Sequence, residues 1–190
     1  MIQNQIASGI IYIEDFRFCL DVLSNQKESS LEEFNQRFSS SMIMVLFDMN
    51  RTTFNSITES RTIDNIENDK LVDSLNVFYN DNYKGWDTAN KDYTRNVIGP
   101  YLMNFDYLPI VNYDRFEMNT GRFSSNDFSQ IDVSNFEVKQ KTIEDFKKDI
   151  FIINLLRQRL FLTEGQVLRY KQLKDKMESL VGQIQAEIKQ

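Results

Sequence analysis

Residues 142–190 read TIEDFKKDIFIINLLRQRLFLTEGQVLRYKQLKDKMESLVGQIQAEIKQ, and this stretch decides the fold class. Its apolar side chains return every three or four positions, the spacing that places them on one face of a helix. Thr142 and Asp145 form a helix start signal, because the hydroxyl and the carboxylate can each bind a backbone N–H there. Gly165 either marks a break between two helices or lies inside one. The positions on the predicted face are Phe146, Ile150, Ile153, Arg157, Leu160, Val167, Tyr170, Leu173, Met177, Leu180, Ile184 and Ile188.

The end of this stretch allows two packing modes. Leu173, Met177, Leu180, Ile184 and Ile188 have the spacing of a coiled-coil seam, although they span barely two heptads. We therefore favour packing of this seam against the chain's own helices. A homodimer through the C-terminal helix, or contact with a protein partner there, is the alternative.

The N-terminal part of the chain predicts two more helices. Ile2 to Leu23 has a helical spacing of apolar residues. After a polar stretch, Ser30 and Glu33 have the spacing of a second capping box. The helix that follows is expected to run through Met49 and, because residues 42–47 are apolar all round, to end deep in the core.

The middle of the chain predicts short elements and then a longer helix. Residues 50–66 indicate two short helical turns at an angle. Asn68 is placed to cap a helix that could run on to Ile98, where Gly99-Pro100 should end or kink it.

Helical periodicity is lost between about residues 101 and 140, where Asn, Asp, Ser and single aromatic residues dominate. A connection of this length indicates a functional loop, short elements or partial disorder, and we expect short helical turns near Phe128 and Asn135. The expected fold is all-α: an antiparallel bundle of long helices with an irregular insertion at about 101–140, before the C-terminal helix or helices. Residues 1–190 form a single domain in this interpretation.

The composition excludes several classes of site. The chain has no histidine and one cysteine, which removes His-based nucleophile systems and His- or Cys-ligated zinc and iron sites. A net charge of −6 without a basic patch argues against a nucleic-acid partner. The longest wholly apolar run, residues 42–47, is too short to span a bilayer, so we expect this chain itself to be soluble.

Carboxylates are the only side chains left for catalysis or metal binding, and their spacing is poor for both. The adjacent acidic pairs, such as Glu144 and Asp145, point in different directions on a helix. Residues 64–69 resemble a calcium loop superficially but lack its glycine and its final glutamate. We therefore predict no catalytic residue, no metal site and no cofactor.

One cluster of aromatic residues could line a ligand pocket. Trp86, Tyr93 and Tyr101 are its core, and the pocket would lie around residues 86–113. The other interpretation, which we favour, is that these rings anchor the core and the loop. Phe105, Tyr107 and Tyr113 belong to the same cluster.

Residues 50–80, NRTTFNSITESRTIDNIENDKLVDSLNVFYN, resemble the signature of an uncharacterised family of Bacteroidetes membrane proteins. Its members have a threonine-aromatic pair, a Ser-Gly, an Ile-x-Asn and a later pair of tyrosines at this spacing. Here Arg61 stands where the family has glycine. The resemblance covers residues 50–80 well, the final helices weakly and residues 101–140 not at all.

The resemblance implies a location rather than a chemistry. Members of the family look like proteins with one transmembrane helix and a helical domain outside the cytoplasm. By that resemblance the domain would face the periplasm at the inner membrane, held by an anchor that is not in this chain. The family has no assigned activity, so no site residue is carried over.

These observations leave two main hypotheses for the function. The first is a non-enzymatic helical interaction or sensor domain, the extracytoplasmic part of a membrane-anchored protein. The second is a helical domain that binds a small molecule in the aromatic-lined pocket. An enzyme that relies on carboxylates alone is a distant third.

Overall fold

The computed structural model describes residues 2–103 and 141–189 of the chain. Within these two ranges every regular element is a helix, so the predicted all-α class is confirmed. None of the helices in these ranges is both long and apolar enough to cross a membrane.

The central element is the C-terminal helix α8, Ile150–Ile188. Its 39 residues give a length of about 58 Å at 1.5 Å per residue. Gly165 lies inside this helix and does not break it. The short helix α7, Ile143–Lys148, precedes α8 and begins with the predicted capping box of Thr142 and Asp145.

The N-terminal helix α1, Ile2–Leu23, packs antiparallel along α8. Ile2 shares a cavity wall with Leu180, whereas Arg17, near the other end of α1, pairs with Glu164 at 2.6 Å. Between these points Gly9 allows the helices to approach closely. A Cβ atom at this position would lie 2.4 Å from Cγ2 of Val167.

Besides α1, a series of short helices also runs antiparallel to α8, and we call this series the second arm. It consists of α4 (Asp69–Tyr79), α5 (Gly85–Tyr93), a π-helical turn (Thr94–Ile98) and α6 (Gly99–Met103). Along this arm Asn68 bonds to Glu187, Asn90 to the carbonyl of Leu162, and Tyr101 to Asp149. The predicted antiparallel arrangement is therefore present, and in the part of the chain that the structure describes it consists of two long helices and several short ones.

Short elements connect α1 to the second arm. They are α2 (Leu31–Phe38), a 3-10 turn (Ser39–Met42), an extended segment, α3 (Thr52–Glu59) and a second 3-10 turn (Thr62–Asn65). The last two are the two helical turns predicted for residues 50–66. Asn68 caps α4 as predicted, since its side chain accepts from the N–H of Leu71.

The prediction that the second helix reaches Met49 is wrong. It ends at Phe38, and after the 3-10 turn residues 43–50 are extended. Serine hydroxyls stop it, because Ser39 bonds to the carbonyl of Gln36 at 2.6 Å and Ser40 to Asp15 at 2.6 Å. At the start of α2, Ser30 caps the N–H of Glu33.

The continuous helix proposed from Asn68 to Ile98 is also interrupted. The chain leaves the helix at Asn80 and re-enters it at Gly85. Gly99-Pro100 does not end a helix but begins α6, directly after the π-helical turn. Pro100 has no N–H and cannot donate the hydrogen bond of a regular α-helical turn. The N–H of Gly99 bonds to the carbonyl of Thr94, five residues earlier, which is the π-helical pattern.

Most of the predicted insertion, including the turns expected near Phe128 and Asn135, lies outside the described residues. Residues 101–103 belong to α6 and are helical. Single-domain organisation over residues 1–190 stays a prediction.

Candidate ligand-binding site

An extended segment, residues 43–50, crosses the molecule between α5 and α8, and we call it the strap. Its backbone is bound by buried side chains rather than by a neighbouring strand. Arg159 donates to the carbonyl of Ile43 at 2.6 Å, and Gln166 donates to the carbonyl of Val45 at 2.7 Å. Both donors lie on α8, so this helix fixes the first half of the strap.

The second half of the strap is bound by α5 and by the turn before it. The N–H of Phe47 donates to Asp87 at 3.4 Å, and the N–H of Met49 donates to the hydroxyl of Tyr83 at 2.8 Å. The Phe47 ring also packs against Tyr83 at 5.7 Å between centroids. The strap therefore has polar partners on both sides, as a buried backbone requires.

Asp87 is the buried carboxylate of this network, with 6% of its surface exposed. Gln166 and the hydroxyl of Tyr170 each donate to it at 2.6 Å. Burial, and secondly the bond to Asp87, raises the pKa of Tyr170 above its usual value. The Tyr170 hydroxyl therefore stays protonated and serves as a donor.

Arg159 is the buried cation, with 2% exposure, and it makes no ion pair with any described residue. Besides Ile43, it donates to Oδ1 of Asn90 at 2.6 Å, and it lies 5.5 Å from the centre of the Phe16 ring. Within residues 2–103 and 141–189 its Nε has no hydrogen-bond partner. Burial lowers its pKa to about 10, so the guanidinium stays charged at neutral pH. These contacts make Arg159 a support of the strap.

Beyond this network lies a cavity of about 510 Å³, which we call the strap cavity. It forms where the end of the strap, the start of α1, the second half of α4 and the last turns of α8 meet. Its volume falls within the range of roughly 300–1,000 Å³ that is usual for small-molecule sites. The pocket predicted from the sequence lies elsewhere, around residues 86–113, because the aromatic residues are concentrated there.

The lining of the strap cavity is mainly apolar. The deepest side chains are almost fully buried, for example Leu173 at 1% and Leu180 at 6% exposure, whereas Val181 at 47% lies near the opening. Four residues of the predicted coiled-coil seam line this cavity, and the fifth, Ile188, is exposed. The apolar and aromatic lining residues are Ile2, Phe47, Met49, Leu75, Phe78, Tyr79, Leu173, Met177, Leu180, Val181 and Ile184.

Four polar residues complete the lining: Gln3, Asp48, Asn50 and Lys174. The two charged ones are each paired with a residue outside the lining. Lys84 bonds to Asp48 at 2.8 Å and lowers its pKa. Glu178 bonds to Lys174 at 2.9 Å and raises the pKa of that ammonium group. The opening therefore carries one charge of each sign, and both charges are compensated.

Two of the three aromatic residues predicted to form a pocket, Trp86 and Tyr101, pack on separate turns of α8. Trp86 packs on Gly165 and on Phe161, whose ring centre lies 5.6 Å away. Tyr101 stacks on Phe151 at 4.0 Å between centroids and donates to Asp149. Tyr93 is partly buried, which raises its pKa. None of the three lines the strap cavity. Phe105, Tyr107 and Tyr113 lie outside the described residues.

Trp86 borders a small apolar surface on α8. Phe161 and Leu168, two helical turns apart, are each 58% exposed, and Trp86 covers Gly165 between them. We call Trp86, Phe161 and Leu168 the aromatic patch. The two exposed apolar side chains beside a tryptophan make this surface a candidate for a protein contact.

Residues 64–69, which superficially resemble a calcium loop, form part of a 3-10 turn and the start of α4. Over residues 2–103 and 141–189, no group of three or more acidic or cysteine side chains is arranged to hold a metal ion.

Comparison of the chain with protein-family models, with curated proteins and with solved structures finds no match.

Proposed function

We propose that this chain is a non-enzymatic binding domain that holds a small, largely apolar molecule in the strap cavity. The observation that carries the proposal is the cavity itself, in which four separate elements leave about 510 Å³ with a mainly apolar lining. Transfer of apolar surface from water into such a space is favourable by about 25 cal/mol per Å². The sequence supports a binding role over catalysis because it contains no histidine.

The strap gives this site a means of reporting whether it is filled. Phe47 and Met49 belong both to the lining and to the segment that Asp87 and Tyr83 hold by hydrogen bonds. A ligand that presses on these side chains changes the packing of a segment that is not held in a helix or a sheet. A sensor role therefore follows from the same site.

The proposal is tested by titrating the protein with the neutral fluorophore N-phenyl-1-naphthylamine. We expect saturable binding that Val181→Phe weakens by about tenfold or more, since a larger ring at the opening occupies the space. Ile188→Phe, on an exposed position of the same helix, is the matched control and should bind normally. Absence of saturable binding, or equal binding by both variants, contradicts the proposal.

A second candidate function is protein association through the aromatic patch. The exposure of Phe161 and Leu168 beside Trp86 favours it. Light scattering during size-exclusion chromatography tests the self-associating form of this idea. If the chain is a dimer, Leu168→Glu should yield monomers while Gln158→Glu leaves the dimer intact. A monomeric wild type leaves only a different protein as partner.

We also propose that the domain belongs to a membrane-anchored protein and faces the periplasm. The support is the resemblance of residues 50–80 to the family of single-span Bacteroidetes proteins. Fractionation of cells that express the complete native gene product tests it. We expect the domain in the inner-membrane fraction and open to added protease in spheroplasts, and a protease-resistant cytoplasmic product contradicts it.

A further inference from the structure

We infer that the ligand of the strap cavity is an uncharged amphiphile, with an apolar body inside and an oxygen-bearing end, such as a hydroxyl or amide, at the opening. This inference rests on the binding function proposed above and specifies its ligand class.

The interior of the cavity selects an apolar body. Leu75, Phe78, Leu173 and Leu180 form the deep wall, and each is no more than 7% exposed. None of these side chains can form a hydrogen bond. A polar group placed among them would lose its hydrogen bonds to water without replacement, which is unfavourable.

The opening offers no unpaired charge to a ligand of either sign, because its two charged residues are already paired. A carboxylate or phosphate would have to draw Lys174 away from Glu178, to which it is bonded at 2.9 Å, and would share the opening with the carboxylate of Asp48. A cation would compete with Lys84 for Asp48, at 2.8 Å. Tyr83 also donates to Asp48 at 3.3 Å. Both pairs are largely exposed and therefore weak, so what counts against a charged ligand is that it gains no free counter-charge at the opening while it still loses part of its own hydration.

The amides at the opening favour a neutral oxygen. The Oδ1 atom of Asn50 accepts from the N–H of Thr52 at 2.9 Å, so its NH₂ group points to other acceptors. This NH₂ group has no acceptor among the described residues, and Gln3 adds a second amide to the lining. An amide donor binds a hydroxyl, ester or amide oxygen without any change of charge.

A series of ligands with the same tail tests the inference. Dodecanol, dodecanoate and dodecyltrimethylammonium compete with N-phenyl-1-naphthylamine, the alcohol below its solubility limit and each ion below its micelle concentration. We expect dodecanol to displace the fluorophore at a concentration about tenfold lower than either ion. Equal or tighter binding of an ion overturns the inference. Displacement by none of the three also overturns it but leaves the proposed function standing, whereas failure of the fluorophore itself to bind removes both.

Two variants test whether the paired charges set this preference. Glu178→Gln frees Lys174 and should improve dodecanoate binding several-fold without changing dodecanol binding. Lys84→Met frees Asp48 and should do the same for the cationic ligand. Glu164→Gln, which removes the remote pair with Arg17, is the control and should change neither. If dodecanoate and the cation bind to these variants as they do to the wild type, the charge argument is overturned.

Discussion

At the scale of single residues, two glycines determine how closely neighbouring parts approach α8. Gly9 faces Val167, and Gly165 carries the indole ring of Trp86, which would lie 2.6 Å from an added Cβ atom. Neither role is visible in the sequence, because a glycine inside a helical pattern signals only a small loss of stability. The partner that needs the space lies far along the chain in both cases.

We predict that Gly165→Ala displaces Trp86 and destabilises the protein by about 1–2 kcal/mol, because the strain of the added methyl group exceeds the gain in helix propensity. Urea unfolding measures the stability, and the emission maximum of Trp86, the only tryptophan in the chain, measures the displacement. Gly182→Ala is the control on the same helix. No atom lies within 4 Å of its added Cβ, so we expect stabilisation of up to about 1 kcal/mol. An unchanged Trp86 spectrum in Gly165→Ala contradicts the packing described.

Asp81 gives a second prediction at this scale. Burial opposes its ionisation, but its bonds to Lys176, at 2.5 Å, and to Arg169 outweigh that effect and lower its pKa. A depressed folded-state pKa contributes stability above the unfolded value of about 3.9, and the contribution is lost as the pH falls through the folded-state pKa.

We therefore expect Asp81→Asn to lower the free energy of unfolding by about 2 kcal/mol at pH 7. The difference in unfolding free energy between this variant and the wild type should shrink as the pH falls below about 4. Urea unfolding at a series of pH values measures this. Asp73→Asn, on an exposed position of α4, should change little at any pH. A difference that stays constant down to the acid limit contradicts the role of these ion pairs.

At the scale of elements, the sequence correctly predicted those helices and caps that depend on nearby residues. The correct predictions include the helix over residues 2–23, the cap at Asn68 and the capping box at Thr142. Each of these features depends on residues within one or two helical turns. The strap was not predicted. Its conformation depends on Arg159 and Gln166, more than 100 residues away in the sequence, and its own apolar run fits a helix equally well.

The strap yields a prediction about Gln166. Gln166→Leu removes the donor to Val45 and one donor to Asp87, leaving both acceptors short of a partner in a buried place. We expect the free energy of unfolding to fall by about 2–4 kcal/mol. We also expect faster hydrogen exchange at the backbone N–H groups of Phe47 and Met49. Gln158→Leu, an exposed position of the same helix, should leave both unchanged. Exchange rates in Gln166→Leu equal to those of wild type would show that the strap is held by other contacts.

At the scale of the whole molecule, α1 and the second arm both pack on α8. A chain that ends at Gln166 loses Val167, Tyr170, Leu173 and Leu180 from the core. We expect it to lose its cooperative thermal transition, which circular dichroism measures. A chain that ends at Glu187 loses the exposed residues Ile188 and Lys189 together with Gln190, and should unfold as the full chain does. A cooperative transition in the shorter chain contradicts the central role of α8.

The strap cavity is also formed by the packing of the whole molecule. For this reason the sequence identified only part of its lining. The seam at Leu173, Met177, Leu180 and Ile184 was identified, and it does line the strap cavity. The remaining walls come from residues 2–3, 47–50 and 75–79, which only the antiparallel packing brings together. Trp86, Tyr93 and Tyr101 have the composition of a pocket, but the rings of Trp86 and Tyr101 pack on α8 and attach the second arm to it.

The position of α8 in the chain has a consequence for synthesis. Every other described helix that packs on α8 precedes it in the sequence. At about 5–20 residues per second, the apolar face of α1 leaves the ribosome on the order of ten to thirty seconds before the end of α8 does. During that interval the nascent chain exposes Ile6, Phe16 and Val22 without their final partners. We expect the unfinished chain to recruit chaperones that shield such surfaces, and to fold only as α8 emerges.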